Sequence, residues 1–260
     1  DPRRENVSFV LQSGVPELTE LTVYLMMITP FHEMVRNPTI KTELRQLQRE
    51  PTAGFITYPI SQAADILLFT DVKTKEKVLV PVGEDQVPHI EETNKIARRF
   101  NQQYREVFPG CLEKVGDVGR LPGIGGNSKM SKSLRNAIFL KDDRATVEKL
   151  IRGMFTDPEK QRRGDIGHPD ACPVYFYHKT FGDMSVLQGR SEGCSVGTLD
   201  CVNCKNELAT AINAFLNPIR IRRAEAEKMP MGNFLKEGTE KARQIGQETM
   251  SIVREAMHLT

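Results

Sequence analysis

Apolar and polar positions follow two different periods along this chain. Up to about residue 138, short apolar runs alternate with amphipathic helical patterns. The run Val78–Val82 is continuous and largely β-branched, which predicts a buried parallel strand. From Lys141 onward the apolar spacing is mainly helical, with proline and glycine between the segments. We therefore expect an α/β domain over residues 1–138, followed by an α-helical domain over residues 139–260.

Further elements are predicted within these two parts. In the first part we expect a strand at residues 7–11, a helix at 15–34 that Pro30 kinks or splits, and helices at 39–49, 60–69 and 89–100. A loop begins at residue 107, and another strand is expected at 136–140. The second part predicts a helix starting at Asp142-Asp143 and helices at 207–223 and 233–257.

Composition limits the class of protein more than it identifies a function. The 260 residues are 39% hydrophobic and 27% charged, as in a globular protein. A net charge of +2 neither requires nor excludes nucleic acid. The longest apolar run, residues 21–30, is too short to span a bilayer, and the polar opening does not read as a signal peptide. We expect a cytoplasmic protein without a membrane partner.

A glycine-rich segment leads into two lysines that stand three positions apart. Gly119, Gly123, Gly125 and Gly126 precede residues 129–133, which read Lys-Met-Ser-Lys-Ser. Glycines let backbone N–H groups approach a ligand, and two ammonium groups suit a departing polyphosphate. The alternative interpretation is a solvated basic turn.

Asp65 is the one carboxylate in the apolar run from residue 60 to 69. A carboxylate in such surroundings is costly without a partner. Its partner is either a neighbouring backbone N–H or lysine, or the N–H of a buried ligand.

Three motifs in order resemble the tryptophanyl-tRNA synthetases, a family of class I aminoacyl-tRNA synthetases. They are Tyr58-Pro59 followed by Ala-Ala-Asp-Ile-Leu-Leu at 63–68, Val-Pro-Val-Gly-Glu-Asp-Gln at 80–86, and the Lys-Met-Ser-Lys-Ser pentapeptide. The resemblance runs from about residue 8 to the end and implies part of a Rossmann-like nucleotide-binding domain followed by a helical anticodon-binding domain. The family's first signature, the HIGH-type motif, has no counterpart here, so we expect that the N-terminal part of the catalytic domain is missing.

The resemblance also implies roles for individual residues. The catalytic residues are Lys129, Ser131 and Lys132. ATP contacts Gly83, Asp85 and the loop residues Lys129, Met130, Ser131, Lys132 and Ser133. The amino acid contacts Tyr58, Gln62, Asp65, Val80, Val82 and Gln86, and Asp65 accepts the indole N–H. Many family members have methionine where this chain has Gln62, which keeps a tyrosine pocket open as an alternative.

Four of the five cysteines form a second candidate site. Cys172, Cys194, Cys201 and Cys204 are separated by 22, 7 and 3 positions. Four thiols in one short region of a cytoplasmic protein favour a metal site, and thiolates select zinc or iron–sulfur. The pattern resembles, with one residue fewer in its first gap, the set that holds a four-iron four-sulfur cluster in some bacterial members of the family. We expect the cluster, with zinc as the second choice, to pin a loop at residues 189–204.

The resemblance implies a tryptophan–tRNA ligase that uses ATP and Mg²⁺. Its partners are L-tryptophan, tRNA(Trp) and a second copy of itself in a homodimer, with no role for DNA. The apolar residues 25–28 fit the dimer interface, and the basic residues Arg220, Arg222 and Arg223 are a candidate RNA contact. Two alternatives stay open: a non-catalytic fragment that binds tRNA or amino acid, and a tyrosine–tRNA ligase.

Overall fold

The chain forms two compact units, which are described separately. The computed structural model describes residues 7–47, 50–116, 121–126, 130, 136–162 and 164–259. The first unit comprises Asp1–Gly119 together with Pro230–Thr260, and the second comprises Arg120–Met229. These units differ from a division at residue 138, because the last helix of the chain packs with the first unit. Which residues meet the anticodon stays a prediction.

Six helices surround the core of the first unit in the part of the chain that is described: α1 (Pro16–Ile28), α2 (Phe31–Arg36), α3 (Pro38–Gln46), α4 (Ala53–Leu67), α5 (Val87–Gln103) and α10 (Met231–Ala256). Pro30 separates α1 from α2, as predicted. Asn37 caps α3, because its side chain accepts hydrogen bonds from the N–H groups of Thr39 and Ile40. Leu21 and Leu25 of α1 are completely buried.

Helix α4 starts seven residues earlier than the predicted start at Ile60. Thr52 caps it by accepting a hydrogen bond from the N–H of Phe55. Pro59 lies inside the helix and is buried. The apolar face formed by Ile60, Ala63, Ala64 and Leu67 is buried, so tertiary packing holds the proline in a helix that local preference disfavours.

A two-stranded parallel sheet, β1 (Val78–Val82) and β2 (Cys111–Val115), lies beside α5. The register pairs Val78 with Cys111 and Val82 with Val115. Strand β1 is parallel as predicted, but it is alternately half-buried and exposed, so the prediction of a buried strand is wrong. The paired residues Leu79 of β1 and Leu112 of β2 are both exposed, so one face of the described sheet is accessible to solvent.

Two other predictions in the first unit are corrected. Residues 7–11 form no strand but lead into a short 3-10 turn, Gln12–Gly14. Their backbone instead runs along α10, where the N–H of Leu11 donates to the Thr239 hydroxyl. Strand β2 was not predicted, and Asn94 of α5 fixes its start by hydrogen bonds to both backbone groups of Cys111.

Helix α10 passes close to the chain start at a glycine. A Cβ at Gly238 would lie 2.2 Å from the carbonyl oxygen of Phe9. Only glycine therefore permits this backbone approach, although it weakens the helix locally. Met250 and Val253 of the same helix are fully buried in the core of the first unit.

The second unit is helical over most of its described residues: α6 (Arg144–Arg152), α7 (Pro173–Phe181), α8 (Met184–Ser195) and α9 (Cys201–Ala226). Asp143 caps α6 at the predicted position by accepting from the N–H of Thr146. The core includes Ile151, Tyr177 and Leu208, which are at most 1% exposed. Among the described residues, no helix is both long enough and apolar enough to cross a membrane.

Two predictions in the second unit are wrong. Residues 136–140 form no strand; the N–H of Phe139 donates instead to the Asp142 carboxylate, which turns the chain towards α6. Residues 189–204 are not a loop, because α8 and the start of α9 take up all but residues 196–200. Asp200 caps α9 by accepting from the N–H of Val202.

Candidate functional site

Helix α4 presents three of the predicted substrate-binding side chains on one face. Tyr58, Gln62 and Asp65 are spaced by four and three positions, so they are neighbours along the helix surface. All three are half-buried, with the apolar side of α4 turned into the core. The helix therefore holds one aromatic hydroxyl, one amide and one carboxylate in a row.

The carboxylate of Asp65 is engaged by an amide from the start of the chain. Gln12 Nε2 lies 2.8 Å from one carboxylate oxygen of Asp65 and 3.0 Å from the other. Burial raises the pKa of Asp65, and the hydrogen bond from Gln12 lowers it in part. Among the described contacts of Asp65 there is neither a backbone N–H nor a lysine, the two protein donors considered from the sequence. The amide of Gln12 takes their place.

The hydroxyl of Tyr58 lies between two side chains from other helices. It is 3.1 Å from Glu43 Oε2 of α3 and 3.1 Å from His89 Nε2 of α5. Burial and the Glu43 carboxylate raise the pKa of Tyr58 to about 12, so the phenol keeps its proton. Burial lowers the pKa of His89, which is completely inaccessible to solvent, and this favours its neutral form.

The predicted ligand residues after β1 meet the α4 row. Gln62 Nε2 lies 3.4 Å from Gln86 Oε1, and Gln86 Nε2 lies 3.3 Å from Asp85 Oδ2. A Cβ at Gly83 would lie 2.8 Å from Asp85 Oδ1, so glycine leaves room for this carboxylate. The structure therefore brings Gln62, Asp85 and Gln86 into one polar chain.

An open cleft of about 560 Å³ lies where the two parallel strands end. It is lined by Pro81, Val82 and Gly83 after β1 and by Lys114 and Gly116 at the end of β2. Ligands of open α/β sheets bind at the carboxyl ends of strands, so this is the expected position for a nucleotide. Val80 and Val82 are half-buried on the same side of β1.

Most of the predicted lysine loop lies outside the described residues. This applies to Gly119, Lys129, Ser131, Lys132 and Ser133. Of the pentapeptide, Met130 is described, and it packs against the core of the second unit. Gly126 adopts a φ of +104°, a conformation that favours glycine.

The four predicted metal-binding cysteines line one small cavity of about 30 Å³ in the second unit. Cys172 precedes α7, Cys194 lies in the last turn of α8, and Cys201 and Cys204 lie in the first turn of α9. All are free thiols. Burial raises the pKa of Cys194 and Cys201, and raises that of Cys204 to about 12.

The surroundings of this cavity suit an anionic group of several thiolates. Lys160 and Arg190 line it, and the charge of Lys205 also acts on Cys201. A Cβ at Gly167 would lie 2.6 Å from Cys194 Sγ, so only glycine fits there. In the described part of the chain, however, no three His, Cys, Asp or Glu side chains are arranged to hold a single metal ion. This arrangement does not support zinc, and it leaves the iron–sulfur cluster a prediction.

Sequence reasoning missed three side chains that contact the site. Gln12, Glu43 and His89 each touch a predicted ligand residue across at least 15 positions of sequence. His89, the first residue of a predicted helix, is completely buried. No local pattern distinguishes these residues, because tertiary structure alone creates their contacts.

Comparison with known proteins agrees with this fold and site. The family model of the class I tRNA synthetases for tryptophan and tyrosine matches residues 2–217. The tryptophan–tRNA ligase of Streptococcus mutans is 43% identical over 97% of the chain and 76% of its own length. The ligase of Aquifex aeolicus is 44% identical over 83% of the chain, which spans 53% of that relative.

A solved structure supports the same assignment. The tryptophanyl-tRNA synthetase of Campylobacter jejuni, complexed with ADP and tryptophan, matches with a TM-score of 0.77 and 30% identity. The match covers 99% of this chain and 78% of that one. The chain belongs to the class I tRNA synthetases for tryptophan and tyrosine, an enzyme family. The relatives described here are its tryptophan-specific members, which confirms the predicted resemblance and class I fold and disfavours the tyrosine alternative.

Proposed function

We propose that this chain works in a tryptophan–tRNA ligase, which activates L-tryptophan with ATP and transfers it to tRNA(Trp). The observation that carries the proposal is the half-buried Asp65 carboxylate, held by a single amide at the edge of the α4 row. A site built around such an acceptor selects a ligand that supplies a hydrogen-bond donor and rejects one that supplies none. The indole N–H of tryptophan meets this requirement. The preference for tryptophan over tyrosine, whose phenol also donates, is supported by the tryptophan-specific relatives.

In the proposed reaction the tryptophan carboxylate attacks the α-phosphate of ATP in line and pyrophosphate leaves. Gly83 lines the cleft at the strand ends, and the Asp85 carboxylate lies close to Gly83; these two residues are the proposed ribose contacts. Lys129 and Lys132 stabilise the charge that develops on the pyrophosphate, a role that rests on their resemblance to the family signature. Bound Mg²⁺ would neutralise part of the same phosphate charge. The rate acceleration comes from the positioning of the reactants and from electrostatic stabilisation of the transition state. We assign no general base.

Tryptophan-dependent ATP–pyrophosphate exchange tests this proposal. The protein should show exchange with tryptophan and not with tyrosine. Lys132→Ala should slow exchange by at least about tenfold, since it removes a charge used in the transition state, while tryptophan affinity stays the same. Absence of exchange in the wild-type protein would favour the non-catalytic binding fragment, and an unchanged rate in Lys132→Ala would remove the role of that lysine.

We infer that the cysteine cavity of the second unit holds a four-iron four-sulfur cluster. The support is the set of four free thiols around one cavity, the adjacent cations and the glycine in front of Cys194 Sγ. Cys172, Cys194, Cys201 and Cys204 would be the ligands. A cluster there would tie the start of α7 to the end of α8 and the start of α9.

We further propose a cytoplasmic homodimer. The support for the dimer is a row of exposed apolar side chains on α1 and α2, where Val23, Met27 and Phe31 are 49%, 72% and 69% exposed. Exposed apolar surface of this kind is typical of protein–protein contacts. The predicted interface residues 25–28 fall into two groups. Leu25 and Ile28 are buried in the core, whereas Met26 and Met27 are exposed and available for a partner.

A further inference from the structure

The hydroxyl of Tyr58 is held between an acid and a base from two other helices of the first unit. Glu43 of α3 and His89 of α5 each lie 3.1 Å from this oxygen. The rings of Tyr58 and His89 meet edge to face, with centroids 5.3 Å apart. Both neighbours are therefore placed to control the phenol rather than to fill space around it.

The two contacts fix the direction of both hydrogen bonds. A carboxylate can only accept, so the single proton of the Tyr58 hydroxyl points to Glu43. The oxygen of Tyr58 then accepts from His89, which requires the neutral ring to carry its proton on Nε2. Burial supports this neutral form against the nearby charges of Glu43 and Asp85.

The remaining lone pair of Tyr58 can only accept from a ligand. The α-ammonium of an amino acid carries three donors and no acceptor, whereas its carboxylate carries acceptors alone. A phenol whose proton is already committed therefore suits the ammonium and not the carboxylate. We propose that Glu43 and His89 are positioning residues that make Tyr58 an acceptor for the α-ammonium of tryptophan. This inference rests on the proposed function, in which Tyr58 contacts the amino acid.

The buried environment of His89 argues against a simple packing role. The side chain is completely buried, and its Nδ1 has no hydrogen-bond partner among the described residues. A phenylalanine would fill the same space without leaving a buried acceptor unpaired. The histidine is explained if its Nε2–H is needed at Tyr58.

A pair of ligands separates positioning from packing. The chain contains no tryptophan residue, so indole fluorescence reports the ligand alone. L-Tryptophan carries the ammonium, and indole-3-propionate has the same ring and carboxylate without it. Affinities of both ligands would be measured for the wild-type protein and for His89→Phe, His89→Gln and Glu43→Gln.

His89→Phe removes the donor that orients the Tyr58 hydroxyl, which misaligns the hydrogen bond that the charged ammonium donates to Tyr58. This variant should weaken tryptophan about tenfold or more and should leave indole-3-propionate within about twofold. His89→Gln, whose amide can donate near the former Nε2 position, should restore most of the affinity. Glu43→Gln keeps the shape of the side chain and should weaken tryptophan selectively as well.

Equal weakening of both ligands in His89→Phe and Glu43→Gln would show a structural role and overturn the inference, as would unchanged affinity for tryptophan. If the wild-type protein binds indole-3-propionate and tryptophan equally, Tyr58 does not read the ammonium. If it binds neither ligand, the proposed function fails first and this inference fails with it.

Discussion

At the scale of single residues, Asp65 carries its charge in surroundings that disfavour charge. Burial raises its pKa, and the amide of Gln12 offsets part of that increase. The carboxylate is thus kept ionised and oriented by one neutral donor. A ligand N–H therefore binds to a carboxylate that is already oriented, which lowers the entropy cost of forming the hydrogen bond.

Gln12→Leu tests this role through the pH dependence of stability. Without the donor, the pKa of Asp65 rises further, so the folded protein binds a proton more tightly than the unfolded chain does. The variant should lose about 0.5–1.5 kcal/mol of unfolding free energy at pH 7, because the hydrogen bond is partly exposed to solvent. This loss should shrink as the pH falls towards the ordinary value of 3.8. Urea unfolding at several pH values measures it, with the exposed Gln102→Leu as control; a loss that does not vary with pH would contradict the account.

The sequence identified Asp65 because a lone carboxylate in an apolar run demands an explanation. Gln12 gave no such signal, since its partner lies 53 positions away. Glu43 was similarly hidden, because nothing in the predicted helix at residues 39–49 distinguishes it from its polar neighbours. Residues that need a partner are therefore visible in sequence, whereas those that provide one become visible only when the chain folds.

At the scale of elements, the three arginines near the end of α9 differ in their contacts. Arg220 donates to the carbonyl oxygen of Asp142 and to Asn213 Oδ1, so it fastens α9 to the segment before α6. Arg223 pairs with Glu227 along the helix. Arg222 is exposed and forms no ion pair with the residues described, which makes it the best candidate for RNA phosphate.

Arg222→Ala should weaken tRNA binding severalfold and reduce the slope of log affinity against log salt by about one, since one phosphate contact is lost. It should leave thermal stability unchanged. Arg220→Ala should lower the melting temperature instead, because it breaks two internal hydrogen bonds. Arg105→Ala, in the first unit, controls for loss of charge. Filter binding at several salt concentrations decides, and equal effects of Arg222→Ala and Arg105→Ala would remove the assignment.

The predictions of helix boundaries were confirmed where a single local side chain determines the boundary. Pro30 divides α1 from α2, and Asp143 caps α6, as their local chemistry requires. The prediction for residues 189–204 failed because this segment has little apolar surface of its own. Its helices are held by neighbouring elements, as where the Arg190 guanidinium of α8 contacts Glu207 of α9.

At the scale of the whole molecule, the chain returns to its first unit at the end. Helix α10 packs into the same core as α1 and α4. The local spacing of apolar residues does not predict this contact between the two ends of the chain. The α/β character of the first half and the helical character of the second were both visible in the apolar pattern. Their assignment to compact units required the packing of Met250 and Val253.

The cysteine cavity makes a prediction about the protein as purified. Protein prepared without oxygen should contain about four iron and four sulfide per chain and should show the visible absorption of an iron–sulfur cluster. Cys204→Ser should abolish both, whereas Cys111→Ser, which changes the buried thiol of the first unit, should retain them. Stoichiometric zinc in place of iron, or no metal in the wild-type protein prepared without oxygen, would contradict the cluster.

The most direct test of the central claim is a tryptophan titration followed by indole fluorescence, with tyrosine as competitor. We expect saturable binding of tryptophan that excess tyrosine does not displace. Asp65→Asn should weaken it by about tenfold to a hundredfold, because the neutral amide is a poorer acceptor for the indole N–H. Asp71→Asn, an isosteric change in an exposed turn, should bind as the wild-type protein does. Displacement by tyrosine, or an unchanged affinity in Asp65→Asn, would contradict the account.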